Sequence, residues 1–461
     1  MEVLQRTANR GSISTASYEI GNSIKFESAN TESLTKSQTA SNRRTWTVSF
    51  WFKKTKVDSA LQYIFEAGSS SSTLLSLFVN GTTDWRIYEY VSGSRNLAFY
   101  STSPLRDSAA WYHIVIACDT TQSTAADRFR IYLNGVDLTA ISGYFSTAAF
   151  PAQNYETRIN DSASTLSIGK APTASTNFCG YISEFNFIDG LMKDEEDFGE
   201  YDSNGIWRPI EYKGSYGNQG YFLNFADAGD LGDDESGNGK DFTENNIAAI
   251  DQATDSPTNN FATMNVLNPL GVYSEGATKV TSPVTPNIPW ATSSIAISHG
   301  GKWYCEVKLI SANNSSGSNF WQNGITPHQF SDSWNYTIMY RSDGLVLNLP
   351  NSGTSTGNAS FAANDIMGMA YDSSNKSLKF YKNGSLVLTK TVDVATPAED
   401  YFFGAGATNG GTYISNWNFG GYTASAISSA ATDANGYGTF EYAPPSGYLA
   451  LCTKNLAETG G

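Results

Sequence analysis

Charge is scarce in this chain. Asp, Glu, Lys and Arg make up 16% of its 461 residues, against roughly 25% in ordinary globular proteins. Cations are the scarcer sign, with 29 Lys and Arg against 44 Asp and Glu and a net charge of -15. No basic cluster exceeds pairs such as Arg43-Arg44 and Lys53-Lys54. The concentrated positive face that neutralises phosphates is missing, so no nucleic acid is expected as a partner. The acidic balance also disfavours anionic membrane surfaces and supports solubility. No stretch approaches about 18 apolar residues, so no membrane insertion is expected either.

Histidine and cysteine are equally sparse. His113 lies in an apolar strand-like run and reads as structural, while His299 and His328 fall in polar loops far apart. No Cys/His set has zinc spacing and no Ser sits in a nucleophile elbow, which disfavours metal-hydrolase and serine-hydrolase chemistry. Cys118, Cys179, Cys305 and Cys452 are widely separated, each inside an apolar run, and read as buried free thiols. The first residues, MEVLQRTANRGSIST, have no apolar core of the signal-peptide kind. Synthesis in a cytoplasm is the expectation.

What the chain does have is aromatic residues, glycine and alternation. It is 13% aromatic with 41 Gly, too aromatic and too weakly charged for disorder. Trp46, Val48, Phe50 and Phe52 fall on one face of Thr45 to Lys53, with Trp51 the exception on the other. Phe129, Ile131 and Leu133 repeat the pattern, as do Trp303, Cys305, Val307 and Leu309. Period two marks half-buried strands. Asn-Gly at 80-81, 134-135, 323-324, 383-384 and 409-410 supplies hairpin turns. Only Leu191 to Glu200 reads as a short helix. The fold class is all-β, two β-sandwich domains. Residues 1–16 read as an arm and 17–225 as the first sandwich. Residues 226–290, rich in Asp, Asn and Pro, read as a linker, 291–452 as the second sandwich and 453–461 as a tail.

Ile24-Lys25-Phe26, Trp46 to Phe52, Trp111 to Val115, Ile131 to Gly135, Leu166 to Gly169 and Gly180 to Phe185 make the first sandwich resemble the concanavalin A-like, laminin-G-type lectin domains. Tyr221 to Phe225 would then close that sandwich from its C-terminal side. The second sandwich resembles a SPRY domain through Gly301 to Val307, Asn323 to Thr326, Asp365 to Asp372, Leu378 to Gly384 and Trp417 to Gly420. That resemblance implies a jelly-roll binding module without catalytic machinery. Phe198 to Asp202, Asp255 to Phe261 and Phe440 to Cys452 are similar to recurring pieces of bacteriophage virion proteins of the tail-fibre type. The implied setting is a virion surface, assembled in the host cytoplasm, with other virion proteins as partners and homo-oligomers, trimers favoured.

Two aromatic and polar clusters have the composition of sugar sites, where ring faces meet pyranose C–H surfaces beside amide and charged donors. One is Trp321, Gln322, Asn323, His328, Trp334, Asn335, Tyr336 and Arg341; the other is Trp85, Arg86, Tyr88, Tyr90, Arg95 and Asn96. The competing reading places these aromatics in the sandwich interiors or a subunit interface. The acidic loop Asp227 to Asp241 offers Asp230, Asp233, Asp234 and Asn238 as oxygen ligands for calcium, although it lacks regular 1-3-5 spacing. No other cofactor is implied. Glu195 to Glu200 matches a Glu-x-Asp-x-x-Glu glycosidase pattern, but a helical placement would deny its carboxylates a shared strand face. The expectation is a non-enzymatic tail-fibre or receptor-binding subunit that recognises host-surface glycan. The alternatives are a capsid decoration or head-fibre protein, then a depolymerase using Glu195 and Glu200. A bacterial adhesin is disfavoured by the absent signal.

Overall fold

The structure, a computed structural model, describes residues 18–58, 60–172, 176–268, 271–282, 291–313, 320–327, 336–348, 356–392, 400–407 and 412–459. They divide into two compact units at Thr258/Asn259. Each unit is a sandwich of two largely antiparallel sheets.

In the first unit, sheet I has eight strands. Its centre is Thr45–Lys54, flanked by Tyr112–Asp119 and Gly180–Asp189. Sheet II also has eight strands, in the spatial order Phe145–Ala149, Ser94–Ser101, Asp84–Val91, Thr73–Asn80, Leu61–Ser70, Thr165–Ile168, Ser33–Ser37 and Thr243–Asn245. The alternating residues Trp46, Val48, Phe50 and Phe52 meet Leu75, Leu77, Ile87 and Phe99 of sheet II in the core. Burial of these large side chains is the main stabilising term, roughly 1.5–3 kcal/mol for each one removed from water.

The opposite face of sheet I is covered too, which explains the Trp51 exception. Trp51 stacks on His113 with ring centroids 4.6 Å apart. Beside that pair, Val115, Ala117, Tyr132 and Ile188 are capped by Phe198 and Tyr212 from the segment after the last core strand. The helix expected over Leu191 to Glu200 is absent: a 3-10 turn at Glu195–Asp197 leads into the strand Gly199–Tyr201, paired with Trp207–Pro209. Phe198 buries against Tyr212, and one such anchor cannot supply the apolar stripe a helix needs. A Cβ at Gly199 would lie 2.3 Å from the Trp207 ring, which therefore rests directly on the backbone.

The stretch 226–290 is not a linker throughout. Leu231 and Phe242 join the first core, Thr243–Asn245 pairs with Ser33–Ser37, and Gln252–Ala253 pairs with Ser23–Phe26. Lys53 Nζ and Asp255 Oδ2 meet at 2.8 Å, both inaccessible. The Asp and Asn residues that suggested an open loop instead bond backbone groups in turns, and the prolines begin only at Pro257. Tyr221–Leu223 pairs with Gly180–Asp189 and closes the sandwich as expected.

The second unit takes in the rest of that stretch. Val272–Ser274 and Lys279–Ser282 extend the eight-stranded sheet III through Thr412–Asn418 to Lys302–Asn313. Sheet IV has the order Ala291–Thr292, Phe402–Ala407, Trp321–Thr326, Ile338–Arg341 and Val346–Asn348. Trp303, Cys305, Val307 and Leu309 point into the core as their alternation indicates. Their neighbours Tyr304 and Glu306 face a second layer made by Phe440, Tyr448 and Ala450. Glu306 accepts the backbone N–H groups of Glu441 at 2.9 Å and Tyr442 at 2.8 Å. The expected tail begins as the helix Thr453–Glu458, anchored where Asn455 Nδ2 donates to Asp433. All four cysteines are buried and unpaired.

Candidate binding face on sheet II

Alternation along Asp84–Val91 sorts the first aromatic cluster. Trp85, Ile87 and Glu89 are buried and face the core side, with Trp85 only 1% exposed. Arg86, Tyr88 and Tyr90 take the other parity and are half-buried. Trp85 is therefore a core residue, whereas Tyr88 and Tyr90 stand on the outer face of the sheet.

Cross-strand register extends that face. Phe78 lies opposite Tyr63 on one side and Arg86 on the other, and Arg86 lies opposite Tyr100. Ring contacts run without a gap from Tyr63–Phe78 at 5.0 Å through Phe78–Tyr88 at 5.1 Å to Tyr88–Tyr90 at 5.0 Å. Ala171 covers the Tyr63–Phe78 end, leaving Tyr88, Tyr90 and Tyr100 as the accessible part. Burial raises the hydroxyl pKa values of Tyr63, Tyr88 and Tyr90, aided at Tyr88 by the Tyr63 phenol and at Tyr90 by that of Tyr100. These groups stay neutral donors and acceptors.

A β-bulge completes the platform. Between Glu89 and Tyr90 the register with Ser94–Ser101 shifts, so Arg95 rather than Asn96 stands opposite Tyr90. Such a bulge re-aims a side chain. The Arg95 guanidinium donates to the Tyr100 hydroxyl at 3.3 Å. Arg86 covers the same ring with its guanidinium carbon 4.6 Å from the centroid, and Asp84 holds its Nε at 2.6 Å. Asn96 donates instead to Ser94 O. Tyr63, Phe78 and Tyr100 escaped the sequence reading, because only the strand register brings them beside Tyr88.

Among its described residues, the second cluster does not assemble on one face. Trp321 and Asn323 share the core-facing parity with Ile325, and Trp321 is 1% exposed, packed against Tyr413 at 5.9 Å. Gln322 points to the opposite side of the same strand, so the two amides cannot meet one ligand. Tyr336 packs against the core. Arg341 is held by Asp343 and lies 4.1 Å above the Phe320 ring. His328, Trp334 and Asn335 lie outside the described residues.

The acidic loop does not fit a calcium ion. Asp234 Oδ1 accepts from Phe222 N at 2.8 Å and Ser236 N at 2.9 Å, and Oδ2 accepts from Lys240 N at 2.8 Å. Asn238 Nδ2 donates to the carbonyls of Gly217 and Gly220. Both Asp234 oxygens and the Asn238 Nδ2 are spent on holding the loop. Among the described residues no three acidic, His or Cys groups converge as metal ligands, and that includes Asp230 and Asp233.

Two carboxylates of the glycosidase-like motif are held in ion pairs. Glu200 pairs with Arg208 at 2.6 Å and Asp197 with Lys193 at 3.1 Å, while Glu195 sits on the 3-10 turn. The turn replaces the period-two strand face on which a carboxylate pair could be presented.

No curated protein matches the chain. Among solved structures it is similar to the mouse laminin alpha1 chain, domains LG4-5, at 11% identity, covering 95% of this chain and 88% of that one with a TM-score of 0.30. It is similar to the SPRY domain of human HERC1 at 15% identity, covering 33% of this chain and 96% of that one with a TM-score of 0.28. A third likeness is the Ruminococcus gnavus IT-sialidase CBM40 bound to alpha2,3 sialyllactose, at 11% identity over 39% of this chain and 92% of that one, with a TM-score of 0.26. Residues 26–196, most of the first sandwich, match the family model of the concanavalin A-like lectin/glucanases superfamily.

Proposed function

We propose that the first unit is a carbohydrate-binding module whose site is the outer face of sheet II at Tyr88, Tyr90 and Tyr100. The observation that carries this reading is the continuous ring ladder ending in half-exposed Tyr88 and Tyr90 on a sheet face. Phenol faces suit the C–H surfaces of pyranose rings, and their hydroxyls supply directional hydrogen bonds. Arg86, fixed by Asp84, adds donors whose position is set before a ligand arrives, so less side-chain entropy is lost on binding. The match of residues 26–196 to a lectin and glucanase superfamily supports the same reading.

The setting follows from the sequence resemblance to virion proteins: a tail-fibre or receptor-binding subunit on a phage surface. Weak single sites would there gain by repetition, since linked copies raise the effective concentration of each further contact. Capsid decoration is the alternative placement. The test of the binding reading is a glycan array with the intact chain and a Tyr90→Ala variant. Glycans retained by the wild type and lost by the variant support it; an array on which the wild type retains none overturns it.

A further inference from the structure

We infer that the sheet II face selects glycans bearing an oxyanion, a carboxylate or sulfate on the sugar ring, through Arg95. This inference rests on the carbohydrate reading above and adds the ligand class. Arg43, Arg44, Arg86, Arg130, Arg158 and Arg208 of the first unit each meet a carboxylate within salt-bridge distance. Arg95 meets none among the described residues, and neither do Arg106 and Arg128, of which Arg128 is spent on the carbonyls of Gln122, Pro151 and Ser123. Of these three, only Arg95 lies on the aromatic face. Its contacts are the phenols of Tyr100 and Tyr90, with a guanidinium-to-hydroxyl bond to Tyr100 at 3.3 Å. A guanidinium carries five N–H donors in a fixed fork that matches a carboxylate or sulfate in two places. Two phenol oxygens leave most of that fork unused.

The position of the charge is also built. The bulge opposite Tyr90 puts Arg95 on the aromatic face, and its guanidinium lies 5.8 Å from the Tyr100 centroid. Ala98 is the residue opposite Tyr88, between Asn96 and Tyr100 on the same strand. Ala98 is itself fully buried, so ligand access is at the Tyr90–Arg95 end of the face, where Arg95 is exposed. A sugar stacked on Tyr88 and Tyr90 would therefore bring its substituents to the Arg95 fork. The chain's net charge of -15 does not oppose this contact at physiological salt. Charges beyond about 8 Å are largely screened there, whereas a directly bonded pair is not.

The test is affinity electrophoresis of the full chain in gels containing alginate, a polyuronate, dextran sulfate, or neutral dextran. Wild type, Arg95→Gln and Tyr90→Ala are run side by side. Retardation by alginate or dextran sulfate at least about tenfold stronger than by dextran is expected, a ratio that charge-assisted hydrogen bonds can supply. Which acidic polymer retards more tells carboxylate from sulfate. In Arg95→Gln the ratio should fall to about twofold or less. Equal retardation of wild type by dextran and both acidic polymers overturns the inference and leaves the carbohydrate reading standing. Acidic preference undiminished in Arg95→Gln overturns the assignment to this residue. No retardation of wild type by any polymer overturns the inference together with the reading it rests on. Arg95 is exposed, so its substitution leaves the core intact.

Discussion

Trp207 donates its indole N–H to Nδ1 of His113 at 3.0 Å. Indole nitrogen is only a donor, so Nδ1 must be the acceptor and the neutral ring carries its proton on Nε2. Nε2 lies 2.9 Å from Ser49 Oγ and therefore donates to it. An imidazole in that tautomer cannot take the serine proton, and the Ser49–His113 pair is structural rather than a nucleophile and its base.

The same enclosure sets the charge of His113. Burial lowers its pKa to about 3, below the roughly 6.5 of an unfolded chain. The unfolded state binds the extra proton between those values, so this residue's contribution to stability is intact above about pH 6.5 and is lost as pH falls toward 3. The His113 ring proton resonances should not shift between pH 8 and pH 5. A titration midpoint near pH 6.5 would contradict the packing.

Three buried carboxyls act in the opposite direction. Burial raises Glu89 and Glu184 to about 7 and Glu306 to about 6. Each holds its proton more tightly folded than unfolded, so its contribution is fully present below about pH 4.5 and is lost as pH rises through 6 to 7. Glu184 is the simplest to test, because the Tyr18 hydroxyl contacts both of its oxygens at 2.9 Å and a glutamine keeps one acceptor. Glu184→Gln should stabilise the chain at pH 8 by on the order of 2 kcal/mol and have little effect at pH 5. Urea unfolding at the two pH values measures this, and an equal effect at both would refute the burial account.

Calcium should add nothing to the acidic loop. Asp234 already satisfies the backbone N–H groups of Phe222, Ser236 and Lys240. Asp234→Ala orphans these donors and should cost about 2–4 kcal/mol. Thermal unfolding of the wild type should be the same with EDTA as with added calcium. A calcium-dependent rise in the melting temperature that disappears in Asp234→Ala would restore the metal site.

Much of this fold was legible because its strands keep strict alternation. Trp46 to Phe52 and Trp303 to Leu309 lead straight to the two cores. The same alternation separates Trp85 from Tyr88 and Tyr90, yet grouping aromatics by composition put all three in one cluster. Other features were not readable along the chain. The place of Tyr63, Phe78 and Tyr100 depends on cross-strand register, and that of Arg95 on a bulge. Residues 226–258 look like a linker because their turn-forming Asp and Asn side chains bond backbone groups, a pattern that composition alone cannot tell from solvation.

The central claim is that the outer face of sheet II binds carbohydrate. Its most direct test is isothermal titration of the best glycan from the array into wild type and Tyr90→Ala, with melting temperatures measured in parallel. Each lost stacking contact is worth roughly 0.5–1.5 kcal/mol beyond buried area, so affinity should fall about tenfold while the melting temperature stays within a few degrees. Unchanged affinity in a folded Tyr90→Ala variant would contradict the account.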